Sequence, residues 1–188
     1  MYKKFMFVIV LILSLSSFAG QVAEYRKLAE QGNAAAQYML GMCYEDGAGV
    51  AKDPAEAVNW YRKAAEQDFA PAQINLGQCY NNGNGIAEDK VEAVKWFRKA
   101  AEQGKPMGEF LLGQCYRKGW GVAQDNNEAV KWYRQAADKG LPDAQCMLGL
   151  CYSQGWGVTQ DKDEAIKWFK KAAEQGYEPA RNALKKLQ

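Results

Sequence analysis

Residues 40–44 read Leu-Gly-Met-Cys-Tyr, and close copies of this segment follow at a spacing of 36 residues. Residues 76–80 and 112–116 read Leu-Gly-Gln-Cys-Tyr, and residues 148–152 read Leu-Gly-Leu-Cys-Tyr. A fixed period between about 20 and 50 residues is typical of stacked supersecondary units, none of which can bury its apolar face alone. Such arrays usually present an extended surface to a partner.

The first half of each unit has the pattern of an amphipathic helix, here called helix A. In the first unit, Ala36, Leu40 and Tyr44 recur at helical spacing and predict one buried stripe. Gly47 and Gly49 follow directly. Glycine ends helices and adopts the positive φ angles of tight turns, so this pair predicts a turn.

A second helix, helix B, follows that turn. Asp53 is a good N-cap, Pro54 suits the first helical position, and Glu56 stands where a capping box needs a carboxylate. Helix B ends before a junction residue that opens the next unit. The junction residues are Gly32, Asp68, Gly104, Gly140 and Gly176, of which Asp68 is the exception. A proline follows four of them, at Pro71, Pro106, Pro142 and Pro179.

The repeat therefore predicts an all-α fold, a right-handed α/α solenoid of helix-turn-helix units. We place full repeats at about 29–64, 65–100, 101–136 and 137–172. A leading half unit at 21–31 and a terminal half unit at 173–188 complete a single domain of residues 20–188. Lys185 and Lys186 would give the last helix the polar outer face that such arrays need.

The first 19 residues have the pattern of a secretory signal peptide. Lys3 and Lys4 precede an apolar run at 5–13, and small residues lead up to Ala19, where we expect cleavage. The alternative is an uncleaved membrane helix, but the run is shorter than the ~18 residues that spanning requires. We therefore expect a periplasmic or secreted protein with no stable membrane anchor.

Composition excludes several classes of function. The chain has no histidine, and beyond residue 19 it has one serine, Ser153, and one threonine, Thr159. A nucleophile–histidine arrangement cannot be built from these residues, and the commonest metal ligand is missing. Without Lys3 and Lys4 the chain has 22 basic and 22 acidic residues, whereas nucleic-acid binders have a basic excess. We expect no catalytic residue, cofactor, metal or nucleic-acid partner.

The units resemble Sel1-like repeats, which are relatives of the tetratricopeptide repeat found in exported bacterial proteins. The matching positions in the first unit are Ala36, Gln37, Leu40, Gly41, Tyr44, Gly47, Gly49, Val50, Asp53, Ala57, Trp60, Tyr61, Lys63, Ala64 and Ala65. Gly108 and Glu109 depart from the Ala-Gln pair in the third unit, and Ile86 departs from valine in the second. The resemblance implies binding of a protein or peptide partner.

The cysteines are predicted to be packing residues rather than a disulfide framework. Four of them, at 43, 79, 115 and 151, hold equivalent positions in stacked units, farther apart than the ~7 Å that a disulfide allows. Cys146 is the candidate for a reachable thiol. A cysteine-rich branch of the family is linked to β-lactam hydrolysis, and its paired cysteines would fall at Ala65 and Gln73. Neither position holds cysteine, which disfavours that activity.

Two sets of residues are candidates for contact with a partner. By analogy with tetratricopeptide stacks, we expect helix A to line a concave groove that faces the partner. The alternative interpretation is that these residues are ordinary solvent-exposed positions. The groove candidates are Met39, Met42, Asn75, Gln78, Leu111, Gln114, Met147 and Leu150. Trp120 and Trp156 lie between turn glycines, where a large aromatic marks either a contact or packing on the next unit. The other four tryptophans repeat with the period, which predicts core packing.

Three functions remain open from the sequence. The first is a monomeric scaffold or adaptor for proteins of the cell envelope. The second is an immunity-type protein that neutralises an exported toxin. The third is a β-lactamase-like hydrolase, which the missing histidine disfavours.

Overall fold

The computed structural model describes residues 19–187, and the predicted signal peptide lies outside them except for Ala19. This part of the chain is helical and contains no strand. The first helix, α1, covers residues 19–30. The remaining helices are α2 (Ala34–Asp46), α3 (Pro54–Ala65), α4 (Ala70–Asn82), α5 (Lys90–Glu102), α6 (Pro106–Lys118), α7 (Asn126–Asp138), α8 (Pro142–Gln154), α9 (Lys162–Glu174) and α10 (Glu178–Leu187).

The chain divides into two compact units after Glu88. In the part that the structure describes, the first unit holds α1–α4 and the second holds α5–α10. Helices of type A are α2, α4, α6, α8 and α10, and helices of type B are α1, α3, α5, α7 and α9. The predicted all-α class, with helix-turn-helix repeats of the solenoid type, is confirmed.

Each full helix A ends on the first turn glycine, as its sequence predicts. Gly47, Gly83, Gly119 and Gly155 adopt left-handed backbone angles, with φ between 68° and 75°. Their N–H groups donate to the cysteine carbonyl four residues earlier. These bonds satisfy carbonyls that a helix end would otherwise leave unpaired.

Helix B begins at an aspartate cap in every full repeat. The Asp53 carboxylate accepts from the N–H groups of Ala55 and Glu56, at 3.1 and 3.0 Å. Asp125 and Asp161 cap α7 and α9 in the same way, and Asp89 caps α5 by accepting from the N–H group of Glu92. The glutamate three residues after the cap also pairs with a lysine one turn later. These pairs are Glu92–Lys95, Glu128–Lys131 and Glu164–Lys167.

Glycines inside helix A allow helix B to pack closely against it. A Cβ added at Gly41 would lie 2.6 Å from the ring of Tyr61, which is fully buried. The corresponding distances are 2.8 Å from Gly113 to Tyr133 and 2.8 Å from Gly149 to Phe169. Any side chain there would force the two helices apart, which explains the Leu-Gly pair at the centre of the repeat.

A buried amide near the start of helix A links consecutive units. Gln37 donates to the carbonyl of Ala29 at 3.1 Å and accepts from Gln67 at 2.7 Å. Gln145 makes equivalent bonds with Ala137 and Gln175. The bonds between paired glutamines join residues 30 positions apart, so repeat stacking is fixed by polar contacts as well as by apolar burial.

Asp68, the predicted exception among the junction residues, adopts the glycine-like conformation. Its φ is +59°, and it is the non-glycine residue with positive φ in the described chain. Its carboxylate accepts a bond from Gln73 at 3.3 Å. Aspartate tolerates this region better than most residues do, so the helix still ends at the same point.

Candidate functional site

The turns between helices A and B in the second unit expose two tryptophans. Trp120 and Trp156 are 39% and 37% exposed, which is unusual for large apolar side chains in this protein. The same turn position holds Ala48 and Asn84 in the first unit. Within residues 19–187, the exposed aromatic side chains therefore lie in the turns of the second unit. We call the turns that carry Trp120 and Trp156 the tryptophan turns.

Backbone hydrogen bonds hold each tryptophan turn at both of its ends. The Trp120 N–H donates to the Cys115 carbonyl at 3.0 Å, and the Asp125 N–H donates to the Tyr116 carbonyl at 2.9 Å. The corresponding bonds of Trp156 to Cys151 and of Asp161 to Tyr152 are both 2.9 Å. The indoles therefore project from rigid turns, which lowers the entropy cost of binding.

The second glycine of each turn rests against the preceding helix B. A Cβ added at Gly121 would lie 2.1 Å from the Lys90 carbonyl oxygen, and one at Gly157 would lie 2.1 Å from that of Asn126. Only glycine permits this approach. The turn carrying each tryptophan is thus seated on the N-terminal end of the helix B one repeat earlier.

A cation lies near each exposed indole. The Lys90 ammonium is 5.5 Å from the centre of the Trp120 ring, and the Arg117 guanidinium is 5.7 Å from that of Trp156. Such cation–π contacts help to fix the orientation of an exposed ring. The resulting surface combines apolar rings with positive charge, which suits a partner with aromatic or apolar groups beside acidic ones.

The predicted groove residues are mostly half-buried. Gln78 is exposed, whereas the other seven lie between the buried and exposed extremes: Met39, Met42, Asn75, Leu111, Gln114, Met147 and Leu150. Met147 packs against a core cluster that contains Phe110, and Leu150 packs against the cluster around Phe169. These two side chains therefore contribute to packing between helices as well as to the surface.

The prediction that Cys146 is a reachable thiol is wrong. Its side chain is 7% exposed and packs with Phe169 and Ala180, because α10 covers that face of α8. Cys79, Cys115 and Cys151 are buried as predicted, and Cys43 is half-buried. Burial raises the pKa of Cys79, Cys115, Cys146 and Cys151 to about 11. All five cysteines are free thiols.

The periodic tryptophans pack between helices, as predicted for most of them. Trp60, Trp96 and Trp168 are buried, and a lysine three residues later lies over each ring at 3.8–4.5 Å. Trp132 is half-buried, and the residue at the equivalent lysine position is Gln135. These rings belong to the framework of the repeats.

Two exposed apolar residues were not anticipated from the sequence. Val91, on the first turn of α5, is 54% exposed, and Met107 at the start of α6 is 38% exposed. Val91 follows Lys90, the neighbour of Trp120. The sequence contains a signal for the exposure of Val91, because the equivalent positions in the other repeats hold smaller or polar residues: Ala55, Asn127 and Asp163.

Further properties of the described residues concern metal sites, the environment of the serine and membrane-spanning helices. Within residues 19–187, no group of three or more Cys, Asp or Glu side chains could hold a metal ion. The Ser153 hydroxyl accepts a bond from Gln154 at 3.1 Å. In the same part of the chain, no helix has the length and apolar character needed to cross a membrane.

Tandem helix-turn-helix units with paired turn glycines define a helical repeat protein. The family model described as Sel1 repeat matches residues 34–69, 70–105, 106–141 and 142–177. These four matches begin at the first residues of α2, α4, α6 and α8. The chain belongs to the Sel1 repeat family. No protein of curated function matches it.

Solved structures support the same fold. A Sel1 repeat protein from Oxalobacter formigenes is 41% identical, with a TM-score of 0.84 over 88% of this chain and 66% of its own. A protective antigen of uropathogenic Escherichia coli with an SLR fold is 43% identical, with a TM-score of 0.81 over 82% of this chain. An immunity protein from Pseudomonas aeruginosa is 25% identical, with a TM-score of 0.60 over 87% of this chain and 60% of its own.

The chain is shorter than these relatives. It covers 33% of the E. coli antigen and 66% of the Oxalobacter protein. The likeness therefore concerns the repeat domain that they share.

Proposed function

We propose that this protein is an interaction scaffold that binds a protein or peptide through its second unit. The observation that carries the proposal is the pair of tryptophan turns, where two indoles are more than one-third exposed on rigid turns. Tryptophan is enriched among the residues that dominate binding energy at protein interfaces. A rigid turn supplies that contact without a large ordering cost.

The proposed contact also includes the helix A candidates of the second unit. Leu111 and Gln114 are half-buried side chains on α6, the helix that ends at the Trp120 turn. Mixed apolar and amide side chains adapt well to a peptide segment. The protein is further proposed to be exported and cleaved after Ala19, on the strength of its N-terminal sequence alone.

Affinity capture from envelope extracts, with mass spectrometry of the retained proteins, tests the scaffold. The native chain is compared with a Trp120→Ala/Trp156→Ala variant and with Met107→Ala, which removes an equally exposed apolar side chain elsewhere. We expect one protein to be retained by the native chain and by Met107→Ala, and lost with the double variant. If all three proteins retain the partner equally and have the same helical circular dichroism, the tryptophan turns do not bind it.

An immunity-type role is the second candidate, favoured by the likeness to the immunity protein from Pseudomonas aeruginosa. In this role the protein would bind one exported toxin tightly in a one-to-one complex. Titration calorimetry with the captured protein separates the two roles. Nanomolar affinity with loss of the partner's toxicity indicates neutralisation, whereas several weaker partners indicate an adaptor.

A further inference from the structure

A cleft of about 180 Å³ opens between α1 and α2 in the first unit. Val22 and Tyr25 line it from α1, and Met39, Met42 and Cys43 line it from α2. Asp46 lies at the same cleft and supplies a negative charge. The space is comparable to an engineered apolar cavity of ~150 Å³ that accepts a benzene ring. We call this space the terminal cleft.

The cysteine that lines this cleft has a covered equivalent in a later repeat. In the fourth repeat, Met147 and Cys151 hold the positions that Met39 and Cys43 hold in the first repeat. There, Cys151 is 1% exposed, and both residues belong to or pack on a cluster that contains Phe110 of α6. In the first repeat the equivalent cysteine, Cys43, is only half-buried, whereas Met39 and Met147 are half-buried alike. Helix A of the preceding repeat makes this difference.

Helix α1 has the place of a helix B beside the terminal cleft. Arg26 donates to the Tyr44 hydroxyl at 2.8 Å, as Arg62 of α3 donates to that of Tyr80 at 3.1 Å. Tyr25 therefore holds the position of Tyr61, the ring on which a helix A packs. The cleft thus lies between α1, a helix of type B, and α2, a helix of type A. A helix of the preceding repeat packs against the same combination elsewhere in the array.

We propose that the terminal cleft binds an amphipathic α-helix of a partner protein, in the place that α6 takes against α7 and the neighbouring side chains of α8. This inference rests on the proposed scaffold function and adds a second contact surface, in the first unit. It extends to a partner the contact by which the repeats already pack on each other.

The cleft specifies the chemistry of that helix. A large apolar or aromatic side chain fills the space over Met39 and Cys43, since Phe110 belongs to the cluster that contains Cys151 and on which Met147 packs. A small residue faces Tyr25, because Gly113 approaches the ring of Tyr133 so closely that a Cβ would lie 2.8 Å from it. The polar face is basic, since residues 20–88 have nine acidic and five basic side chains. Opposite charge favours the encounter.

A second copy of this chain does not meet these requirements. Its α10 is a helix A, but Lys185 holds the position of Gly41. A lysine there would meet the Tyr25 ring where the repeats need glycine. The helix proposed to bind here comes from another protein, and occupation of the cleft by residues 1–18 of the chain itself is a result that would overturn the proposal.

A peptide with the sequence of α6 is the probe, because α6 covers the equivalent surface in the second unit and ends in Arg117 and Lys118. Cys115 is replaced by serine, and a hydrocarbon staple joins positions 107 and 111, since an isolated helix of this length is marginal in water. The control peptide carries Phe110→Asp. The readout is alkylation of Cys43 by N-ethylmaleimide in the purified protein, located by peptide mass mapping. The other four thiols are buried.

We expect the stapled peptide to slow alkylation of Cys43 about fivefold at about four times its dissociation constant, because only free protein reacts. The Phe110→Asp peptide and a Met39→Lys protein variant should show no protection. Absence of protection by the native peptide overturns the proposal. So does an unreactive Cys43 before peptide is added to a chain retaining residues 1–18, since the chain's own start would then fill the cleft.

The captured partner separates this inference from the scaffold proposal. Loss of the partner with Met39→Lys supports a helix in the terminal cleft. Retention with Met39→Lys and loss with Trp120→Ala/Trp156→Ala overturns the cleft as a partner site and leaves the scaffold standing. Peptide binding without any captured protein supports the cleft and leaves the tryptophan turns without support.

Discussion

A single residue pair shows how the repeat keeps its stacking when the sequence changes. In the third repeat Glu109 replaces the buried glutamine, and its carboxylate pairs with Lys139. The equivalent position one repeat later holds Gln175. The Lys139 ammonium also donates to the Gly104 carbonyl at 2.9 Å, as Gln175 donates to that of Gly140 at 3.1 Å. A charged pair has thus replaced an amide pair at the same two positions.

Replacing Lys139 by methionine should destabilise the protein by about 2 kcal/mol. The Glu109 side chain is 1% exposed, so its carboxylate would remain buried without its cation. The partial exposure of Lys139 keeps the loss below that of a fully buried pair. Urea unfolding at pH 7 measures the change.

The double variant Glu109→Gln/Lys139→Gln is the matched control for that experiment. It recreates the amide pair of Gln145 and Gln175 and should stay within about 1 kcal/mol of the native stability. Equal losses in both variants would mean that position 139 contributes through packing of its side-chain stem instead of its charge.

Thiol reactivity separates the half-buried cysteine from the buried ones. With a small disulfide reagent, we expect one thiol to react fast, because Cys43 is half-buried and the other four are buried. Cys43→Ala should abolish this phase, and Cys146→Ala should leave it unchanged. A fast phase that disappears with Cys146→Ala would contradict the packing of α10 over that residue.

At the level of elements, the turn glycines have two different roles. Gly119 ends α6 with a φ of +69°, and a Cβ there would meet its nearest neighbour at 3.4 Å. Gly121 has nearly the same φ, but it also touches the backbone of the preceding helix B at Lys90. The first glycine terminates a helix, and the second joins two repeats.

Gly121→Ala should therefore cost more stability than Gly119→Ala. The latter adds strain at positive φ, about 1 kcal/mol. Gly121→Ala adds the same strain and a clash 2.1 Å from a carbonyl oxygen, about 3 kcal/mol together. Thermal or urea unfolding of the two variants measures the difference. Equal losses would show that the turn can move away from α5 at no cost.

At the scale of the molecule, the two units differ in charge. Residues 20–88 have a net charge of −4, and residues 89–188 have 17 basic and 13 acidic side chains, a net charge of +4. The terminal cleft lies in the acidic part and the tryptophan turns lie in the basic part. The proposed surfaces therefore favour segments of opposite charge, and both contacts should weaken as salt increases.

The stability of the whole chain should fall between pH 9 and pH 11. Four buried thiols have their pKa raised from 9.0 to about 11, so the folded chain keeps protons that the unfolded chain releases. Their contribution is complete below pH 9 and is lost as the pH rises through 11, at about 1 kcal/mol per thiol by pH 10. Urea midpoints at pH 8 and pH 10 measure this.

A Cys115→Ala variant is the control for the alkaline transition, since it removes one of the titrating thiols. Its midpoint should change less between the two pH values than that of the native chain. A native midpoint that is the same at pH 8 and pH 10 would contradict the burial of these thiols.

The sequence by itself determined the secondary structure and the family of this protein. The positions of the helices follow from local preferences, such as the caps at Asp53 and Gly47. The same capping residues recur in each repeat with a period of 36 residues. The tryptophan turns could also be located from the sequence, because a large residue breaks the pattern of small ones there.

Only the tertiary structure decided which side chains remain accessible. Cys146 is buried because α10 lies over it. Cys43 is more accessible because it lines a cleft between α1 and α2. The Glu109–Lys139 pair and the contact of Gly121 with Lys90 join residues about 30 positions apart. Equivalent residues in a repeat have the same local sequence but different neighbours, so their exposure depends on what packs against them.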